Sequence, residues 1–175
     1  MTAEFSRPIR TDTVGAAAKH LDIEATLAER EALARRFVIP AVDSLTAEVE
    51  VTRNGEMLSA RGSLKAAVTQ SCVATDEPVE QQVSESFEIL FRPHPAEVGA
   101  DEEIELSAGE LDVVFYDGVT IDVGEAVAES LALALDPYPR SPAAEAALRE
   151  AGVKTEEEAR MESSPFAVLK DKLGK

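Results

Sequence analysis

The stretch LTAEVEVTRNGEMLSARGSL, residues 45–64, decides the fold. Leu45, Ala47, Val49 and Val51 alternate with Thr46, Glu48 and Glu50, the two-residue period of a strand with one face in a core and the other in water. Asn54-Gly55 follows, and both residues tolerate the positive φ that a two-residue type I′ turn demands, so the spacing predicts a β-hairpin. Centred on that turn, the register sets Val51 opposite Leu58, Val49 opposite Ala60, Ala47 opposite Gly62 and Leu45 opposite Leu64. Glu48 then meets Arg61 on the polar face, so turn chemistry and side-chain pattern agree.

Upstream, Thr26 and Glu29 have the spacing of a capping box, in which hydroxyl and carboxylate each accept the other residue's amide. A helix is predicted over 27–38, with Leu33 and Phe37 on its buried face and Pro40 as its stop. Downstream, the second strand continues to Cys72, and Thr75 to Pro78 supply a turn. Val83, Phe87, Ile89 and Phe91 then share one face of a further strand, which Pro93 and Pro95 close. An acidic loop over 96–103 leads to two shorter strands around 103–106 and 111–116, and Asp117-Gly118 is a second hairpin signal leading into 119–121.

Asp122 and Glu125 repeat the capping-box spacing before a run over 123–135 that is apolar almost all round, the pattern of a long helix buried across a sheet. Pro137 ends it. Residues 145–162 read as an Ala-rich, charged helix or linker, and Ser164-Pro165 opens a last helix with Phe166, Leu169 and Leu173 on one face. The expected fold class is α+β: an antiparallel, curved or barrel-like sheet with a long buried helix and flanking amphipathic helices. Residues 1–142 are expected to form a single domain, and 143–175 a charged linker and C-terminal amphipathic helix.

Charge narrows the function classes. Of 175 residues, 34 are acidic and 17 are Lys or Arg, a net charge of −17, yet residues 93–139 contain no Lys or Arg at all. Such a field repels phosphate backbones and anionic lipid and attracts basic proteins. The single cysteine, Cys72, excludes an internal disulfide framework and a multi-cysteine zinc site. The N-terminus lacks the apolar core of a signal peptide and no run is long enough to span a bilayer, so the expected location is the cytoplasm. No Gly-x-Ser-x-Gly elbow and no phosphate-cradling glycine loop occurs, and His20 and His94 stand alone in the sequence. Neither catalysis nor a cofactor is expected.

Several short motifs occur in order along the chain: Glu4-Phe-Ser-Arg-Pro8, Gly62-Ser-Leu-Lys-Ala-Ala-Val-Thr-Gln70, Cys72-Val-Ala-Thr75 with Glu77-Pro78, Ile121-Asp-Val-Gly-Glu125, Leu135-Asp-Pro-Tyr-Pro-Arg140 and Pro165-Phe-Ala-Val-Leu169. Together they resemble the YceD family of large ribosomal RNA subunit accumulation proteins in its alphaproteobacterial form. The resemblance implies a part in the accumulation of large-subunit ribosomal RNA, a process more than a reaction. Many relatives carry a Cys-x-x-Cys-like pair where this chain has Cys72 to Thr75, and further cysteines near 136–140; those partners are absent, so no zinc or redox role transfers.

Charge and resemblance combine into a non-enzymatic ribosome biogenesis factor that holds a basic ribosomal or assembly protein, with Tyr138, Arg140, Asp101, Glu102 and Glu103 as candidate contacts. The alternative is a protein that touches ribosomal RNA directly through Arg35, Arg36, Arg53 and Arg61, all upstream of the acidic zone.

Overall fold

The structure is a computed structural model and describes residues 4–94, 113–154 and 160. In chain order the elements are β1 (Pro8–Arg10), a 3-10 turn (Thr11–Thr13), β2 (Lys19–Glu24), α1 (Leu27–Phe37), β3 (Ala41–Asn54), β4 (Met57–Ser71) and β5 (Pro78–Pro93). They continue with β6 (Val113–Tyr116), β7 (Thr120–Asp122), α2 (Val123–Ala134) and α3 (Ala144–Glu150). The chain divides into two compact units, one of residues 1–70 and 80–137, the other of 71–79 and 138–175.

The α+β class holds. A five-stranded sheet of order β2-β3-β4-β5-β6 dominates, and β1 pairs with β7 in a separate antiparallel ribbon. The expected barrel-like closure is not found: among the described residues the large sheet is open, with β2 and β6 as its edges. The residues around Asp117-Gly118 do not form the expected hairpin: β6 runs parallel to β5 in the large sheet whereas β7 leaves to pair with β1. Asp117 Oδ1 accepts the amides of Val119 and Thr120 at 2.9 and 3.0 Å, and Gly118 takes φ 86°, so the turn passes the chain from one sheet to the other.

The β3–β4 hairpin forms, in a different register. Asn54 pairs with Met57, so the two turn residues are Gly55 and Glu56, and of these only Gly55 has positive φ, at 66°. Glycine at the first turn position is the type II′ preference, and it displaces the type I′ turn predicted at Asn54-Gly55. Every pair moves by two: Val51 faces Ala60, Val49 faces Gly62, Ala47 faces Leu64, and Glu50 rather than Glu48 faces Arg61. A two-residue shift preserves which face each side chain occupies, so the predicted core positions Leu45, Ala47, Val49, Val51, Leu58, Ala60 and Leu64 are all buried. Gly62 has a packing reason, since a Cβ there would lie 2.3 Å from the Glu48 carbonyl and 3.0 Å from the Phe87 ring.

Helix α1 starts with the predicted capping box: the Thr26 amide donates to Glu29 at 2.8 Å and the Glu29 amide to Thr26 Oγ1 at 3.4 Å. Its guanidinium at Arg30 donates to the carbonyl of Asp43, the extra residue in a β3 bulge between Val42 and Ser44, so helix and strand meet where the strand bends. In α2, Asp122 caps the Glu125 amide at 3.1 Å, but Glu125 does not complete the box; its carboxylate is turned to Arg36. Val123, Ala126, Val127, Ala128 and Leu131 enter the core, whereas Leu133 is 87% exposed, so burial is confined to one face in the last turn. No helix among the described residues is long and apolar enough to cross a membrane.

Strands β1 and β2 escaped the sequence reading. Each is short and flanked by Pro, Gly or Ala, with too few alternating residues to show a period. The segment before β1 is held by polar contacts. Asp122 accepts the Arg7 amide at 2.8 Å and the Ser6 hydroxyl at 2.5 Å, and the Arg7 guanidinium grips Glu29 at 2.6 and 3.0 Å while lying 4.5 Å above the Phe5 ring. Gly124 permits this approach: a Cβ there would come within 2.3 Å of the Phe5 carbonyl.

Two outcomes follow for stability. Val38 closes α1 in the left-handed region at φ 57° while 89% exposed, so Val38→Gly removes backbone strain and loses no packing. Chemical denaturation is expected to show a gain of about 1 kcal/mol. Arg7, with help from the Thr26 donors, holds Glu29 down from 4.5 to about 2, so the pair stabilises the fold fully above pH 4.5 and loses that contribution as pH falls toward 2. Glu29→Gln is therefore expected to cost about 1–2 kcal/mol at neutral pH, and the gap to the parent should close through that acid window.

Candidate functional site

The four arginines proposed for RNA lie on three elements. Arg35 and Arg36 are in the last turn of α1, Arg53 is near the end of β3, and Arg61 is on the outer face of β4. Three are engaged. Arg36 makes a bidentate pair with Glu125 at 2.6 and 2.9 Å and reaches Glu4 at 3.2 Å, and Arg61 pairs with Glu88 at 2.6 Å. Arg53 donates to the carbonyls of Gly55 at 2.7 Å and Thr11 at 3.0 Å, which ties the hairpin end to the 3-10 turn. Arg35 is exposed.

The loop after α2 is set up by two glutamines. Gln70 Nε2 donates to the Asp136 carbonyl at 2.9 Å and Gln81 Oε1 accepts the Asp136 amide at 3.4 Å, so both backbone groups of the residue before Pro137 are fixed. Gln70 itself is buried, which gives this motif residue a structural task.

Within the second unit, the Cys72 turn and the chain beyond Tyr138 form one cluster. The Cys72 amide donates to the Glu77 carbonyl at 2.8 Å, the Asp76 amide to the Cys72 carbonyl at 3.0 Å, and the Val73 amide to the Pro139 carbonyl at 2.9 Å. Asp76 takes φ 58°, the left-handed position that lets so short a loop close. Ser141 is buried and its hydroxyl donates to Glu77 at 2.6 Å; the Thr75 hydroxyl lies 3.2 Å from Ser141 Oγ and 3.1 Å from Glu77. Pro139 is buried, Tyr138 is 71% exposed and Arg140 is exposed, so the loop presents its aromatic and its cation outward. Asp101, Glu102 and Glu103 lie outside the described residues, as do the strand expected over 103–106 and the helix expected after Pro165.

The sequence reading set Cys72, Thr75 and Glu77 in one motif and missed Ser141 as their distant partner. No spacing signal connects residues more than sixty apart in the chain. The thiol sits among donors: the Ser141 amide first, then the Thr75 hydroxyl and the Ala74 amide at 3.4 Å, which together bring it from 9.0 to about 6. A thiol, two hydroxyls and one carboxylate do not make a tetrahedral zinc site, and no group of three or more His, Cys, Asp or Glu side chains suited to a metal occurs among the described residues.

Residues 60–171 match the family model described as large ribosomal RNA subunit accumulation protein YceD. The matched span takes in most of β4, the Cys72 turn, α2 and the loop through Arg140. No curated protein and no solved structure matches the chain.

The Cys72 cluster makes a direct expectation. Ultraviolet thiolate absorbance of the folded protein should titrate with a midpoint near 6, and Ser141→Ala with Thr75→Val, which removes the hydroxyls but leaves the Ser141 and Ala74 amides, should move it upward only part of the way toward 9.0. A parent midpoint at the ordinary thiol value would show that these donors do not stabilise the thiolate.

Proposed function

The chain belongs to the YceD family of large ribosomal RNA subunit accumulation proteins, and from that premise we propose that it acts by holding a basic ribosomal or assembly protein against its acidic surface. The family is one of ribosome biogenesis factors not known as enzymes, and membership carries a role in the accumulation of large-subunit ribosomal RNA. The molecular step is the inference.

The observation that supports it is how the cations are used. Arg7, Arg10, Arg36, Arg61 and Arg149 are each within 2.6 Å of a carboxylate of the same molecule, whereas acidic side chains outnumber Lys and Arg by 34 to 17. An RNA phosphate would have to displace those carboxylates and then face the remaining acid excess. A cationic protein gains from the same field, both in approach rate and in choice of partner. Tyr138 and Arg140 supply an exposed aromatic and a cation at one loop, the residue types enriched at binding hot spots. Asp101, Glu102 and Glu103 extend the acidic zone in sequence.

Fluorescence anisotropy with basic large-subunit ribosomal proteins and with fragments of 23S ribosomal RNA, each over a salt series, tests the reading. Binding to at least one basic protein, weakening steeply as salt rises, is expected, with no comparable binding to RNA. Tight RNA binding that is lost when Arg35, Arg36, Arg53 and Arg61 are replaced by Gln would overturn it in favour of direct RNA contact.

A further inference from the structure

Within the first unit, Val127 and Leu131 of α2 are fully buried, whereas Leu133 in the last turn stands in solvent. A groove of about 530 Å³ opens between this end of α2 and strands β5 and β6. Leu133, Phe87, Ile89 and Val114 give it apolar walls, and each wall carries an acid, Glu85 on β5 and Glu129 on α2. A second depression, of about 240 Å³, adjoins it at Val114 and Glu129 and continues beside Phe115, which is also exposed. No Lys or Arg lines either one.

Glu88 also borders the groove but is held by Arg61 at 2.6 Å, whereas neither Glu85 nor Glu129 makes an ion pair among the described residues. The groove therefore joins apolar surface that would gain by burial to carboxylates that have no cation of their own. Charge selects the occupant. The stretch 95–112 that joins β5 to β6 carries Asp101, Glu102, Glu103 and Glu105 and no Lys or Arg, and a second copy of the chain is also at −17, so the field opposes both. A cationic segment with apolar side chains suits walls and acids together. Strand β6 spans only 4 residues, so an added strand would gain a short ladder, and side chains of a helix laid in the groove are the mode that fits.

We propose that the groove between the end of α2 and strands β5 and β6 receives an amphipathic basic helix of the partner, with its apolar side chains against Leu133, Phe87 and Val114 and its Lys or Arg side chains on Glu85 and Glu129. The assignment rests on the reading of this protein as the holder of a basic partner, and it adds a place and an apolar contribution that charge alone does not supply. The acidic field speeds the approach and is screened by salt, whereas burial of Leu133 slows departure and is not.

The probes are a labelled helical peptide of Leu and Lys with its Leu on one face, and a peptide of Lys and Gly of equal charge. The parent is expected to bind the Leu-Lys peptide more tightly. Leu133→Gln, a change at an exposed helix position that should leave resistance to denaturant unaltered, is expected to weaken the Leu-Lys peptide about tenfold and the Lys-Gly peptide by less than about twofold. Glu85→Gln with Glu129→Gln should weaken the Leu-Lys peptide more than the control pair Glu31→Gln with Glu150→Gln, which removes the same charge elsewhere. Equal weakening by the two charge pairs with no effect of Leu133→Gln overturns the groove and leaves the acidic holder standing, because the peptide then reads only net charge. A parent that binds neither peptide overturns both. Tighter binding of the Leu-Lys peptide on Phe166→Ser with Leu169→Ser would give the groove to the chain's own C-terminal segment and overturn the partner's helix as its occupant.

Discussion

The carboxylate of Asp122 is the contact on which the first unit depends. One oxygen caps α2 through the Glu125 amide and also takes the Arg7 amide, while the other takes the Ser6 hydroxyl. The N-terminal segment is thereby fastened to the start of the buried helix, and β1 is set in register with β7, with Ile9 opposite Ile121. From there the Arg7–Glu29 pair reaches the capping box of α1, and the Arg36–Glu125 pair returns from the end of α1 to α2. Phe5, fully buried, and Gly124, which cannot carry a side chain, are the packing terms of the same joint. Hydrogen bonds to charged groups are stronger than neutral ones, so a joint of this kind compensates for a core short of large aromatics.

That joint has a consequence for the surface. Using arginines to fasten the N-terminal segment and α2 to α1 removes them from solvent-facing roles, and the surface acidity is left less opposed. The motif residues at the two ends of the joint, Glu4 to Pro8 and Ile121 to Glu125, are accounted for by architecture and are not needed to explain binding. Elsewhere, Arg35 at the end of α1 and Arg140 on the loop after α2 are exposed.

The second unit shows a different economy. Backbone amides and hydroxyls from two distant stretches close the turn around Cys72, with the Thr75 and Ser141 hydroxyls both donating to Glu77. Thr75 stands where the resemblance places a second cysteine, and its hydroxyl is bonded to Ser141 and Glu77. Charge-assisted hydrogen bonds to Glu77 hold the loop ends together here.

By itself the sequence determined what depends on neighbours a few residues apart. The alternation in β3 and β4, the Thr26–Glu29 box, the Asp122 cap and the end of α2 before Pro137 are set by φ preferences, side-chain period and local hydrogen bonds, and each appears as read. The hairpin register was legible only to parity, because Asn54-Gly55 and Gly55-Glu56 both suit a two-residue turn and both leave the apolar residues on one face. Tertiary structure alone decided that β6 would lie parallel to β5, that β7 would leave for β1, and that Glu125 would take Arg36 instead of its own cap. It also brought Asp22 opposite Glu48 and Ser141 beside Thr75. These are pairings between residues far apart in the chain, chosen by which faces must be buried together, and no local spacing encodes them.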